Sequence, residues 1–247
     1  MLAGKNIVVT GCLQGIGKET LSTFAQNGAN VFACSYKQEE EFEIFCSKLA
    51  KENNVQIIPV YFDMFDNASI KEAAKVIQKS KMEIHGLVNI AGINRDAFFN
   101  MITYQDMVDT FQVNVFSQII LSQYIVKLMQ RKQTIGSIVF TSSVTAMDGN
   151  EGQVTYGASK AALIGAMKSM ALELGKTGIR VNAIAPGVIK TPMTDKLEDS
   201  VIEKKIKTMD IPRLGEASEV AELYLYLMSD LSSHVSGQVI RVDGGIR

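Results

Sequence analysis

Short apolar runs alternate with segments of helical periodicity along the whole 247-residue chain. Most of the runs are nearly continuous in Val, Ile, Ala and Phe, which is typical of strands that are covered on both faces. The segments between them place apolar residues three and four positions apart, as a helix with one buried face requires. The predicted strands are 6–10, 30–36, 56–62, 85–90, 136–141, 180–185 and 238–242, and the predicted helices are 16–26, 40–51, 69–81, 103–130, 155–176 and 217–229.

This alternation predicts an α/β fold with a doubly wound parallel sheet of about seven strands and helices on both faces. No linker, repeat or low-complexity segment interrupts residues 1–247, so we expect a single domain. Two helix starts carry capping patterns, Ser69 with Glu72 and Thr103 with Asp106. Residues 188–215 are polar and lack strand character, and we expect them to form a mobile substrate lid.

Charge and composition argue against several classes of partner. The chain has 25 basic and 26 acidic residues and a net charge of -1, so we expect no nucleic-acid partner. It has no apolar run of about 20 residues and no signal-peptide pattern at its N-terminus, so we expect a cytoplasmic protein without a membrane partner. The 3 cysteines and 2 histidines lack metal-ligand spacing, which predicts reduced thiols and no metal site.

A glycine-rich turn follows the first predicted strand and leads into a helix. Gly11 permits a tight turn, Gly15 a close approach of the backbone to a ligand, and Gly17 close packing of helix on strand. The N–H groups at the start of the helix can bind phosphate. The spacing G-x-x-x-G-x-G differs from the dinucleotide fingerprint, and a plain glycine-rich turn is the alternative. The order of strand, turn and helix favours nucleotide binding and a Rossmann-type domain.

The end of the second predicted strand bears on the choice of cofactor. A cofactor with a free ribose 2′-hydroxyl usually meets an acidic residue there, and this chain has none. Ser35 can donate to a 2′-phosphate and Lys37 can pair with it. The acids at 39–41 fit the exposed first turn of the next helix. We therefore expect NADP(H) to be preferred over NAD(H).

A candidate proton-transfer site lies between residues 141 and 160. Tyr156 and Lys160 are four residues apart, on one face of a predicted helix. The ammonium would lower the pKa of the phenol from its ordinary value near ~10, so that Tyr156 can exchange a proton with a substrate oxygen. Ser143, at a strand end, would hold that oxygen. The alternative is a surface tyrosine beside a solvated lysine. Asn114 has apolar neighbours, and a buried Asn must find partners.

Taken together and in order, these features resemble the short-chain dehydrogenase/reductase family over essentially the whole chain. Within that family, residues 211–215 and 236–245 are most similar to the 3-oxoacyl-[acyl-carrier-protein] reductases. The matching positions are the turn Thr10–Gly17, Asp63, Asn89-Ile90-Ala91-Gly92, Asn114, Ser143, Tyr156 with Lys160, Pro186-Gly187 and Thr191.

The resemblance implies hydride transfer between nicotinamide C4 and a carbonyl or secondary-alcohol carbon. It implies that Asn114 anchors a water, that Ser143 and Tyr156 act on the substrate oxygen, and that Lys160 also binds the nicotinamide ribose. The implied cofactor contacts are Gly11, Leu13, Gln14, Gly15, Ile16, Gly17, Ser35, Lys37, Asp63, Met64, Asn89, Ala91, Gly92, Tyr156, Lys160, Pro186, Gly187, Val188 and Thr191. The substrate contacts are Ser143, Asn150, Gln153, Tyr156 and Met193.

Three functions follow as alternatives. The first is an NADP(H)-dependent carbonyl reductase whose substrates include small molecules or 3-oxoacyl thioesters. The second is a dehydrogenase of sugars, polyols or steroids, and the third is a nucleotide-sensing protein without turnover. The resemblance also implies a homotetramer, with a dimer as the alternative, built on helices 103–130 and 155–176.

Two departures from the family's pattern bear on these expectations. Ile90 replaces an asparagine beside the cofactor, which alters local packing. The two arginines that bind an acyl carrier protein in the family would fall at about Thr134 and Thr177. Neither position is Arg in this chain, so binding of an acyl carrier protein would depend on neighbouring cations, namely Arg131, Lys132, Lys176 and Arg180.

Overall fold

The computed structural model describes residues 1–196 and 198–246. Its centre is a seven-stranded parallel sheet in the order β3-β2-β1-β4-β5-β6-β7, which confirms the predicted fold class. The strands are β1 (Asn6–Thr10), β2 (Asn30–Ser35), β3 (Ile57–Tyr61), β4 (Gly86–Asn89), β5 (Gly136–Thr141), β6 (Ile179–Pro186) and β7 (Val239–Val242). The helices are α1 (Gly15–Gln26), α2 (Glu40–Asn53), α3 (Asn67–Lys79), α4 (Tyr104–Phe111), α5 (Ser117–Lys132), α6 (Thr145–Asp148), α7 (Val154–Leu174), α8 (Asp199–Ile206) and α9 (Ala217–Met228).

Two apolar cores sandwich the sheet. On one face, Ile70 of α3, Leu121 of α5 and Leu163 of α7 pack against strand side chains such as Phe140. On the other face, α1, α2 and α9 do the same, with Phe24 at the centre of the packing. The strand order reverses between β1 and β4, so their carboxyl ends diverge and leave a crevice, the usual ligand site of such sheets.

The segment predicted as one helix over 103–130 is interrupted, so that prediction was wrong in detail. A π-helical turn, Gln112–Phe116, separates α4 from α5. Asn114 lies in this turn, and its side chain accepts from the backbone N–H of Ile93 at 2.8 Å and donates to the carbonyl of Ile93 at 2.9 Å. A π turn inserts one extra residue into a helix and is frequent at functional sites. Here it presents a buried amide to the loop that follows β4.

One of the two predicted helix starts is correct. Thr103 caps α4, because its hydroxyl accepts from the N–H of Asp106 at 3.1 Å. The proposed capping box of Ser69 and Glu72 was wrong, since Asp66 caps α3 by accepting from Ala68 N–H at 2.8 Å. Ser69 instead lies within the first turn and its hydroxyl accepts from the N–H of Asp63.

The described parts of residues 188–215 contain α8 and a short 3₁₀ turn. The two ends of the segment are tied together, because Lys190 N–H donates to the carbonyl of Gly215 at 2.9 Å and Gly215 N–H donates to that of Val188 at 3.0 Å. Both ends therefore stand at the carboxyl edge of the sheet, beside the crevice. Among the helices described, none is long and apolar enough to cross a membrane.

Candidate active site

The glycine turn after β1 has the geometry that phosphate binding needs. Gly11 and Gly15 have φ of +75° and +55°, a region that L side chains rarely adopt. A Cβ on Gly17 would lie 2.0 Å from the carbonyl oxygen of Gly11, so only glycine fits there. No side chain caps α1, and its first turn carries no acid, so its N–H groups and partial positive charge are open to an anion. These features fit the pyrophosphate of a dinucleotide.

A cavity of about 320 Å³ extends from this turn to Tyr156. Most of the predicted site residues line it: Gly11, Leu13, Gln14, Gly15, Ile16, Gly17, Ala91, Gly92, Ser143, Tyr156, Lys160, Pro186, Gly187, Thr191 and Met193. Predicted residues that do not line it are Ser35, Lys37, Asp63, Met64, Asn89, Asn114, Asn150, Gln153 and Val188. Lining residues without a predicted contact are Tyr36, Ile90, Thr141, Ser142, Ile189, Pro192 and Thr194.

At the end of β2, the predicted phosphate ligands are partly engaged within the chain. Ser35 is buried and donates from its hydroxyl to the carbonyl of Lys37 at 3.0 Å. The Lys37 ammonium forms an ion pair with Glu39, which raises the pKa of Lys37. Glu39 therefore does more than favour the helix dipole. Tyr36, which stands between Ser35 and Lys37 in the sequence, is exposed and lines the cavity. An aromatic residue at a strand end is the sequence signal that could have identified it.

Three further predicted cofactor residues have structural partners of their own. Asp63 accepts from the N–H of Phe65 at 2.8 Å, as a turn residue does. The carbonyl of Met64 accepts from the hydroxyl of Ser117. Asn89 is fully buried and donates to the Ser122 hydroxyl at 3.2 Å. A role for these residues in contacting a cofactor stays a prediction.

The catalytic candidates meet at the end of β5. Ser143 shares a hydrogen bond with Tyr156, and the Lys160 ammonium lies 5.7 Å from the centroid of the Tyr156 ring. Asn114 donates to the hydroxyl of Ser159, the residue before Lys160, at 3.0 Å. A Cβ on Gly92 would lie 3.0 Å from Asn114 Oδ1 and 3.4 Å from Lys160 Nζ, so these two groups flank the same glycine.

Burial is the largest cause of the pKa shifts of Tyr156 and Lys160. It raises the pKa of Tyr156 to about 12, against the hydrogen bond from Ser143, and Asp96 adds to the rise. It lowers the pKa of Lys160 to about 8. The expected lowering of the tyrosine pKa by Lys160 was therefore wrong for this arrangement, because loss of hydration is the main cause of the shift and raises the pKa. At neutral pH Tyr156 carries its proton, as a general acid requires.

Of the substrate candidates, Met193 lines the cavity, whereas Asn150 and Gln153 do not and have partners of their own. Asn150 accepts from the ammonium of Lys205, on α8, at 3.0 Å. The amide oxygen of Gln153 accepts from the Thr145 hydroxyl at 3.1 Å. Met193 is about half exposed. Arg241, just before the C-terminus, holds Asp148 through two hydrogen bonds of 3.1 and 2.6 Å, a pairing that sequence reasoning missed.

Known proteins are similar to this chain in sequence and fold. A family model described as enoyl-(acyl carrier protein) reductase matches residues 11–247. The 3-oxoacyl-[acyl-carrier-protein] reductase FabG of Thermotoga maritima is 41% identical over 245 residues, covering 99% of this chain and 98% of that protein. The 3alpha-hydroxysteroid dehydrogenase of Mediterraneibacter gnavus is 33% identical over 247 residues, covering 100% and 98%. The crystal structure of a 3-oxoacyl-[acyl-carrier protein] reductase from Brucella melitensis superposes with a TM-score of 0.92 at 29% identity, covering 99% and 92%.

The fold, the glycine turn and the Ser–Tyr–Lys cluster define an NAD(P)-dependent oxidoreductase. The chain belongs to the short-chain dehydrogenase/reductase family, which confirms the resemblance drawn from its motifs. Relatives at similar identity carry the names of a thioester reductase and a steroid dehydrogenase, so family membership alone does not select the substrate.

Proposed function

We propose that this protein is an NADP(H)-dependent reductase of 3-oxoacyl thioesters. When bound, the nicotinamide supplies the hydride to the carbonyl carbon. Ser143 donates a hydrogen bond to the carbonyl oxygen and Tyr156 gives that oxygen its proton. The observation that carries the proposal is the cluster of Tyr156 with the buried side chains of Ser143 and Lys160, in which the tyrosine is protonated at neutral pH.

Lys160 would serve two purposes in this reaction. Its buried ammonium offers hydrogen bonds to the nicotinamide ribose, and its charge favours the phenolate left after proton transfer. Asn114 would hold the water through which Lys160 reaches solvent. The position of Asn114 Oδ1 and Lys160 Nζ beside the same glycine, Gly92, supports this path.

The preference for NADP(H) rests on charge at the end of β2. No acid stands at the strand end, and Lys37 is half exposed, so its ammonium can meet a 2′-phosphate. The ion pair with Glu39 reduces this advantage, because binding a phosphate at Lys37 brings two anionic groups to one cation. A modest preference is therefore expected.

An acyl carrier protein would bind at cations other than the family's two arginines. Thr134 is buried and donates to Glu83 at 2.8 Å, and Thr177 donates to the carbonyl of Leu174. Arg180 donates to the carbonyls of Leu227, Ser229 and Val235, so it is committed to the fold. The remaining candidates are exposed and form no ion pair in the described part of the chain: Arg131, Lys132 and Lys176.

The second candidate function is a secondary-alcohol dehydrogenase of the steroid, sugar or polyol type. The similarity to a hydroxysteroid dehydrogenase supports it, as does the mixture of polar and apolar groups around the outer site. A non-catalytic nucleotide sensor is disfavoured because Tyr156 and Lys160 are both present and together.

A substrate panel with both cofactors tests these proposals. We expect NADPH oxidation with acetoacetyl thioesters, at higher kcat/KM than with steroid ketones or ketoses, and weaker binding of NADH than of NADPH. Activity on ketones without activity on thioesters would select the second candidate. Changing Arg131, Lys132 and Lys176 to Ala should raise KM for the carrier-protein thioester and leave KM for the coenzyme A thioester unchanged.

A homotetramer is proposed on the basis of exposed apolar side chains on and beside α4 and α7. Phe99, Tyr104 and Leu172 are 79%, 76% and 83% exposed, and we infer that they are covered where copies of the chain meet. Light scattering should give four times the mass of the chain; a monomer at micromolar concentration would contradict the proposal.

A further inference from the structure

The dipeptide Thr141–Ser142, at the end of β5, holds Lys160 at two atoms. The Lys160 ammonium donates to the carbonyl of Thr141 at 2.7 Å, and the Ser142 hydroxyl donates to the carbonyl of Lys160 at 2.9 Å. All three residues are buried. The position of the ammonium therefore depends on where this dipeptide lies.

The dipeptide is itself fixed from the opposite face of the sheet by a tyrosine of α9. The Tyr224 hydroxyl lies 2.6 Å from Thr141 Oγ1, which lies 2.6 Å from the carbonyl oxygen of Asn89 in the neighbouring strand β4. A threonine hydroxyl has one hydrogen, and a carbonyl can only accept. Thr141 therefore donates to Asn89, and Tyr224 donates to Thr141.

Packing alone does not require this hydroxyl. Tyr224 is completely buried, and burial raises its pKa, so the group remains a donor at every physiological pH. A phenylalanine ring would fill the same space without the need to satisfy a buried polar group. The hydroxyl does, however, complete a chain of contacts from α9, through the side chain of Thr141, to the peptide that receives Lys160.

We propose that Tyr224 is a positioning residue for Lys160, acting through Thr141 to fix the carbonyl that binds the ammonium. This inference rests on the role of Lys160 in the proposed function. It predicts that Tyr224 affects the charge state and placement of Lys160 although it does not line the cavity.

Tyr224→Phe removes only the hydroxyl, and Tyr226→Phe on the same helix is the matched control. Tyr226 is partly buried, and its hydroxyl makes no hydrogen bond to the residues that the structure describes. We expect Tyr224→Phe to lower kcat about fivefold. We also expect the alkaline limb of the kcat–pH profile to move to lower pH, because a looser carbonyl contact favours the charged ammonium less. Tyr226→Phe should change neither.

Thr141→Val separates positioning from stability. It leaves the Tyr224 hydroxyl buried without an acceptor, so Tm should fall further than in Tyr224→Phe. The double variant with Thr141→Val and Tyr224→Phe should regain part of the lost Tm, while the alkaline limb of its kcat–pH profile stays at the lower pH.

The pH of the alkaline limb in the kcat–pH profile is the deciding measurement. The inference would be overturned if the alkaline limb of Tyr224→Phe lay at the wild-type pH. It would also be overturned if the limb of the double variant returned to the wild-type pH as its Tm recovered. Full activity of Lys160→Met would instead overturn the proposed function, so the two failures are distinguishable. Fluorescence titration adds a readout without turnover, since NADPH should bind Tyr224→Phe a few-fold more weakly than Tyr226→Phe.

Discussion

The two sides of the cavity are held in different ways. The floor, formed by Thr141, Ser142, Ser143, Tyr156 and Lys160, is mostly buried, and its members bond to one another and to two layers of helices. The rim is an outer group of four residues, Asn150, Gln153, Met193 and Lys205. Met193 lines the cavity, and each polar member has a single side-chain hydrogen bond.

This difference indicates that the floor carries out the chemical step and that the rim selects the substrate. Floor groups that are fixed by several contacts act in one geometry, which proton transfer requires. Rim groups with one contact each can change partners or identity at little cost in stability. Relatives of similar identity named for a thioester reduction and for a steroid oxidation fit this division.

Replacing Lys160 with Met should give the largest effect and test the floor directly. We expect kcat to fall about 1000-fold. Stability should rise, by on the order of 3 kcal/mol at pH 7, because burial lowers the pKa of this lysine from 10.5 to about 8 and thereby disfavours its charged form.

The pH dependence of this stabilisation provides a control. Between pH 8 and 10.5 the folded wild type binds fewer protons than the unfolded chain, so its stability rises with pH relative to Lys160→Met. The difference in Tm between the two proteins should therefore be greatest below pH 8 and narrow above it. Lys79→Met, exposed in the last turn of the remote helix α3, should leave Tm and kcat unchanged. A lower Tm for Lys160→Met at pH 7 would contradict the account.

Gly17→Ala should disable cofactor binding while leaving the floor in place. The added Cβ would lie 2.0 Å from the Gly11 carbonyl oxygen, so the turn must open. We expect the dissociation constant for NADPH to rise at least about 100-fold, measured by fluorescence titration. Gly175→Ala is the control, since no atom lies within 4 Å of its Cβ and its φ is negative. Equal affinities of the two variants would show that the turn does not bind the phosphates.

Beside the rim, at the end of α6, Asp148→Asn should alter substrate binding without changing the chemistry. It weakens the two hydrogen bonds to Arg241 that join α6 to β7. We expect KM for the carbonyl substrate to rise about fivefold and kcat to change less than about twofold. Glu72→Gln breaks a comparable ion pair with Lys75 on the remote helix α3 and should change neither. A loss of kcat without a rise in KM in Asp148→Asn would show that α6 contributes to the chemical step rather than to substrate binding.

The smallest effect is expected at the cofactor end. Glu39→Gln frees Lys37, so the dissociation constant for NADPH should fall about threefold while that for NADH stays constant. The gain should shrink at high salt because the pair is half exposed. Glu52→Gln, at the far end of α2, should have no effect. An equal gain for both cofactors would show that Lys37 does not meet the 2′-phosphate.

Elements whose signal is local could be predicted from the sequence. Continuous apolar runs predicted the strands, because each run lies within one short segment. The family motifs taken together predicted that Ser143, Tyr156 and Lys160 meet, whereas the spacing of Tyr156 and Lys160 alone left a surface tyrosine as the alternative. Thr141 and Ser142 of the floor were not predicted. The π turn around Asn114 could not be predicted, since one inserted residue hardly changes helical periodicity. The pair of Asp148 and Arg241 joins residues 93 positions apart, and the raised pKa of Tyr156 depends on burial by distant elements.

The central claim is that Tyr156, in the floor of the cavity, gives the substrate oxygen its proton. Tyr156→Phe tests this claim most directly. The variant keeps the ring and loses only the hydroxyl that Ser143 bonds. With NADPH and an acetoacetyl thioester, we predict that kcat falls about 1000-fold while the dissociation constant for NADPH stays within about twofold of wild type. Turnover at the wild-type rate would contradict the account.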